Sequence, residues 1–293
     1  MKLKQLITAL SLGFAAISAS ATPLDAITGN LNIKLTGLTT ESRTTAGTNE
    51  TTWGVGNITS ITGSDDMEWF SGVSDGSYLY YMIYGIADQN IVADPATGKF
   101  NIYNFGATGA GADGKIHLDI YRSTTRLTSL TSNFNASPAD RVDYDSYSLF
   151  AGMEKYLAVE FGTGKQLIDV AGGTNATADE RLATLVQTAT GATLPAAGEG
   201  QFFGDVVGGT AKAQWDTNGQ FGHDLDGKFT LSTNGASQGS GKCTDAQIAS
   251  NACFVGLIND PIRANKIPEP GSLALLGLGF AGLAGLRRRR AAK

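Results

Sequence analysis

Two stretches of this sequence alternate apolar and polar residues with a period of two, which few folds other than a β-sheet can use. In NLNIKLTGL, Leu31, Ile33 and Leu35 share one face. In KIHLDIYR, Ile116, Leu118 and Ile120 point one way and Lys115, His117, Asp119 and Tyr121 the other. Such spacing places every second side chain on one side of an extended strand. SYLYYMIYGIAD (77–88) is apolar on both faces and predicts a central strand covered twice. DPATGK, GADGK, TNGQ and DLDGK read as tight turns between such runs. With 38 glycines and only 17% charged residues, the composition suits many short strands better than helices. The predicted fold class is mainly β: a single β-sandwich or jelly-roll-like domain over residues 22–262. One short helix is expected in NATADERLATLVQTAT. There Thr177 and Glu180 form a capping box, and Leu182, Leu185, Val186 and Ala189 follow at helical spacing.

The two ends are of another kind. The chain starts MKLKQLITALSLGFAAISASA, with Lys2 and Lys4, an apolar run to Ile17, and Ala19-Ser20-Ala21 as an A-x-A site. This order predicts a signal peptide over 1–21, cut after Ala21, and hence export. The chain finishes IPEPGSLALLGLGFAGLAGLRRRRAAK. Residues 263–270 read as a stalk carrying Pro268, Glu269 and Pro270, whose two prolines favour extended backbone. Gly271 to Leu286 carries no charge and predicts a transmembrane helix about 24 Å long. That is short for a hydrocarbon core of about 30 Å, but snorkelling arginines and local thinning can close the gap. Arg287, Arg288, Arg289 and Arg290 then act as a stop-transfer cluster, leaving 287–293 as a basic cytoplasmic tail.

Triplet, glycine-leucine span and arginine cluster, in this order and spacing, resemble the PEP-CTERM sorting signal of Gram-negative bacteria that make extracellular polysaccharide. The resemblance covers about residues 267–293 and says nothing of 22–266. It implies a route: export, a transient stage in the inner membrane with the body in the periplasm, then cutting near the triplet by exosortase. The passenger would then reach the cell surface or extracellular matrix.

Seven of the 22 basic residues (Lys2, Lys4, Arg287–Arg290, Lys293) lie in the two ends, which leaves 15 against 27 acidic residues, a charge near −12 for the exported part. Such a surface excludes nucleic acid as a partner. In an exported protein Cys243 and Cys253, an isolated pair ten residues apart, predict a disulfide.

Signals for chemistry are weak. GASQG (235–239) fits G-x-S-x-G, but His117 and His223 both precede Ser237 and no helix signal follows, so it reads as a turn. His223-Asp224-Leu225-Asp226-Gly227, Asp140/Asp143/Asp145 and Asp65/Asp66/Glu68 could offer oxygens to calcium, yet none has the spacing of a known loop. Trp53, Trp69, Tyr78, Tyr80, Tyr81, Tyr84, Tyr103 and Phe105 are either core or a platform for sugar rings. The expectation is a non-enzymatic surface or matrix protein without cofactor or metal, associated with exopolysaccharide or biofilm and processed by exosortase. A carbohydrate- or calcium-dependent binding module is the alternative, and a secreted carboxylate-dependent glycosidase a further one.

Overall fold

The computed structural model describes residues 24, 27–41, 49–64, 68–73, 76–109, 111–128, 130, 141–165, 184–191, 197–232, 254–268 and 279–280. The mainly β expectation is met. The strands are β1 (Gly29–Glu41), β2 (Thr52–Gly63), β3 (Glu68–Ser71), β4 (Tyr78–Asp94), β5 (Lys99–Gly106), β6 (His117–Ser123), β7 (Arg141–Asp143), β8 (Ser146–Tyr147), β9 (Glu154–Gly162), β10 (Leu185–Ala189), β11 (Ala197–Gly208), β12 (Leu225–Ser232) and β13 (Phe254–Lys266). Apart from the β7–β8 hairpin, they belong to one antiparallel sheet.

That sheet is closed, which corrects the two-sheet sandwich. β2 hydrogen-bonds β1 along one edge and β4 along the other, so the order β4-β6-β9-β11-β12-β13-β1-β2 returns to β4. β5 and β10 extend the positions of β6 and β9, because β4 and β11 outrun those strands and pair with them in turn. β4 changes partner near Gly85, where φ is +82° and a Cβ would strike the Lys115 carbonyl. Only glycine takes that conformation without strain. Closure pairs the eight strands of the ring on both sides, while the short β3 is bonded only to β2 among the described residues.

The ring is filled. Leu31, Ile33, Leu35, Leu79, Tyr81, Ile83, Leu118, Ile120, Val159, Phe161 and Phe202 point inward and are buried. Asn30, Asn32 and Lys34 point outward and are exposed. On β1 the alternation thus sets apolar side chains inside and polar ones outside. At one end α1 (Lys212–Trp215) folds under the ring and adds Trp215 to the core beside Leu24 and Ile27.

β4 is covered twice, as its sequence predicts. The connection from β6 to β9 lays Leu127, Leu130, Tyr147 and Phe150 over the outer face, against Trp53, Tyr80, Met82 and Tyr84. Arg141 lies within 5.1 Å of the Trp53 ring centre and 4.9 Å of that of Tyr144, and pairs with Glu50.

The expected helix is corrected where it is described: Leu185–Ala189 is β10. It bonds β5 on one side and β11 on the other, so tertiary pairing on both edges overrides the local helical spacing. Thr177, Glu180 and Leu182 lie outside the described residues.

Toward the far end of the ring the interior turns polar. Asp88 and Asn104 face each other across β4 and β5 and both are buried, and Asn104 Nδ2 donates to Gln187 Oε1 at 3.1 Å. Burial pushes the Asp88 carboxyl up to about 6, although a hydrogen bond from Thr51 works the other way. Its ordinary value is about 3.9. The folded protein therefore holds the extra proton between about pH 4 and 6. This contribution is complete below about pH 4 and is lost as the pH rises through about 6. Burial raises Glu50 in the same direction. Asp88→Asn should flatten part of this slope, so its advantage in urea midpoint over the native chain is expected to be larger at pH 7 than at pH 4.5. Parallel curves for the two proteins would refute the assignment to Asp88.

Candidate functional site: where the chain leaves the barrel

The last strand places the sorting signal. In β13, Ile262, Ala264 and Lys266 form one inward row, and all three are buried. Lys266 pairs with Gly29, the first residue of β1, so both chain ends leave the same end of the ring on neighbouring strands. The Lys266 side chain is 1% exposed. Its Nζ donates to the Leu24 carbonyl at 2.6 Å and lies 5.7 Å from the Trp215 ring centre. Trp215 Nε1 in turn donates to Tyr156 Oη at 3.3 Å. One residue on, the Ile267 N–H donates to the Gln214 carbonyl at 2.8 Å.

The fold therefore extends to Ile267, and the stalk expected from 263 falls within β13 for its first four residues. Pro268 is the first residue with no such tie, and it is exposed. Glu269, Pro270, Arg287, Arg288, Arg289 and Arg290 lie outside the described residues, as do Ala19, Ala21, Cys243, Cys253 and Ser237. Among the described residues no helix is long and apolar enough to cross a membrane.

The rim around this exit is polar, and α1, to which Ile267 is tied, adds the exposed Lys212–Asp216 ion pair at 3.7 Å. Asn265 Nδ2 donates to Asn30 Oδ1 at 3.1 Å, and Thr217 Oγ1 donates to the Asn265 carbonyl at 3.4 Å. Behind it stands Asp224, which accepts from the N–H groups of Thr217, Asn218 and Val206 at 2.6, 2.7 and 2.7 Å. These bonds consume the oxygens that the sequence offered to calcium. Asp226 is likewise committed, to Lys165 Nζ at 2.7 Å. His223 stacks on Phe203 with ring centres 4.6 Å apart and meets Asp205 through Nδ1 at 2.9 Å. Asp143, Asp145 and Glu68 are exposed. No group of three metal-ligating side chains assembles among the described residues.

Several other sequence candidates are structural, while Tyr78 and Phe105 are half-buried and the Trp69 side chain lies outside what is described. Trp53, Tyr80, Tyr81, Tyr84 and Tyr103 are buried, so they form no exposed platform. His117 stacks on Tyr84 at 4.8 Å and meets the Asp113 carboxylate at 3.1 Å. Asp119 accepts from Tyr84 Oη at 3.2 Å and from Lys155 Nζ at 2.7 Å.

One cleft of about 360 Å³ opens beside Tyr78, walled by Asn57, Ser71, Arg126 and Thr128. Its back is fixed by Tyr80, whose Oη accepts from the Leu127 N–H at 2.7 Å. Sequence reading missed Arg126 and Lys266. Nothing local marks Arg126. Lys266 continues the even positions after Ile262 and Ala264, but nothing local shows that a lysine there is buried.

Residues 266–290 match the family model of the PEP-CTERM protein-sorting motif. The match begins on the buried lysine that ends β13. The motif implies export, membrane anchoring before processing, and exosortase as the processing enzyme. No curated protein and no solved structure matches the chain.

Proposed function

We propose that this is an exported, non-enzymatic barrel protein that exosortase cuts near Pro268–Pro270 and that is retained in the extracellular polysaccharide matrix. The observation that carries the reading is the junction at Lys266: the barrel is complete where the sorting motif begins, as suits a passenger delivered whole. The non-enzymatic part is supported by how four of the acids are used, while a fifth, Asp88, is buried opposite Asn104. Glu50 pairs with Arg141, Asp119 with Lys155 and Asp226 with Lys165, while Asp224 takes three backbone donors. A glycosidase needs two carboxyl groups facing one cleft, and the cleft beside Tyr78 has none among its described walls.

Intact mass and C-terminal sequence of the protein from the native host's surface fraction test the reading. The mature chain is expected to begin near Thr22 and end at Pro268–Pro270, and Pro268→Ala with Glu269→Ala is expected to keep the tail. A native chain that retains Arg287–Arg290 at the surface would refute processing.

The cleft favours a second reading, a glycan-binding module. Its volume is at the small end of ligand sites. Tyr78 offers a half-buried ring and Arg126 an exposed guanidinium suited to a sugar carboxylate. Titration with acidic and neutral oligosaccharides distinguishes the two readings, because only the second requires saturable binding that Arg126→Ala weakens.

A further inference from the structure

We propose that the rim of the barrel around Lys266 is itself a contact surface for the membrane enzyme that cuts the tail. The inference rests on the reading that exosortase processes this chain, and goes beyond it in assigning the enzyme a second surface outside the sorting motif. Between Lys266, the last strand residue, and Gly271, where the uncharged segment starts, stand four residues. Fully extended, the five steps from Lys266 to Gly271 reach about 17 Å. A tail held in the membrane thus keeps the barrel end within that distance of the lipid surface, and the cutting enzyme must work in the gap.

An enzyme that grips extended backbone holds residues on both sides of its target, so a cleft centred on Glu269 also meets Ile267 and Lys266. Those two residues cannot fray cheaply. Lys266 is tied to Leu24 and Ile267 to Gln214. The enzyme accordingly meets the folded rim, and the rim suits such a contact. Asn30, Asn265 and Thr217 offer amides and a hydroxyl, and Ile267 is an apolar side chain left 43% exposed, with the Lys212–Asp216 pair at α1 nearby. The segment that follows the expected leader cut enters at this same end, through Leu24 and Ile27. Leader and tail therefore tether the same face toward the membrane.

The test is a ten-residue Gly/Ser insertion between Ile267 and Pro268 in the full chain, expressed in the native host, with the fraction of chains lacking the tail read by mass spectrometry. The insertion follows the last tied residue and leaves the barrel, the triplet and the tail unchanged. Processing is expected to fall several-fold, and Asn30→Lys at native spacing is expected to slow it in the same direction while the melting curve stays unchanged. Processing as fast as or faster than in the native chain after insertion overturns the rim contact, because the enzyme then needs only the tail. Pro268→Ala with Glu269→Ala separates the two ideas. If that variant is unprocessed while the insertion is harmless, the rim contact fails and the sorting reading stands. If neither change matters, the sorting reading fails as well.

Discussion

Replacing Gly227 with valine should destabilise the barrel by about 3 kcal/mol or more, the upper end for overpacking a filled core. Gly227 sits within β12, directly opposite Phe202 of β11 on one side and Ile262 of β13 on the other. A Cβ at this position would lie far inside van der Waals contact with Cζ and Cε1 of the Phe202 ring. The ring has nowhere to retreat, because it is stacked on Phe161 with centres 4.0 Å apart and planes 2° from parallel, and is 2% exposed. Phe202→Ala alone is expected to cost about 3–5 kcal/mol through the cavity it leaves. The two changes are complementary in volume, so Gly227→Val with Phe202→Ala should be less damaging than the sum by about 1–3 kcal/mol. Urea denaturation of the four proteins measures the coupling directly. Simple additivity would mean that the glycine is not there to admit the ring.

That glycine also shows how sequence reading went astray. DLDGK carries the letters of a turn, yet Leu225 and Gly227 continue an inward row, and glycine is present because a partner strand brings a phenylalanine across it. Composition shows that glycine is needed, but not whether for a bend or for a close approach. The faces of the strands were legible from local alternation: Leu31, Ile33 and Leu35 are inward, as are Ile116, Leu118 and Ile120. Their partners were not. β1 pairs with β13 from the opposite end of the chain, and a period of two carries no information about that. Closure depends on such long-range pairings, as does β10, whose residues spell a helix until β5 and β11 bind both their edges. Trp53, Tyr80 and Tyr84 illustrate a further limit. Whether an outward aromatic is a platform or a core residue depends on what lies over it, and the covering residues Leu127, Leu130, Tyr147 and Phe150 follow no regular period. The sorting motif was legible because it is a linear signal that needs no fold to be read. Its root in the barrel was not, because the burial of Lys266 depends on Leu24 and Trp215, brought together only by folding.

Lys266 is where the second large effect is expected. Lys266→Met keeps an unbranched stem to pack against Trp215 but removes the donor to the Leu24 carbonyl. Leu24 is fully buried, so that carbonyl loses a partner, at a cost of about 1–3 kcal/mol. Lys266→Ala also removes the stem and should cost more, by roughly 0.8 kcal/mol for each buried methylene lost. The damage should begin locally: hydrogen exchange is expected to quicken first in Gly29–Leu31 and around Ile262–Ile267, before the strands distant from the chain ends. A second background identifies the interaction. In a chain that begins at Thr28, the Leu24 acceptor is gone while the contact with Trp215 remains. There Lys266→Met should cost clearly less than in the full chain, since the hydrogen bond it removes is already absent. A smaller loss in the shortened background is the expected signature of the clamp. An equal loss of stability in both would place the importance of Lys266 in its stem alone, and the segment after the leader would have no part in holding the root of the tail.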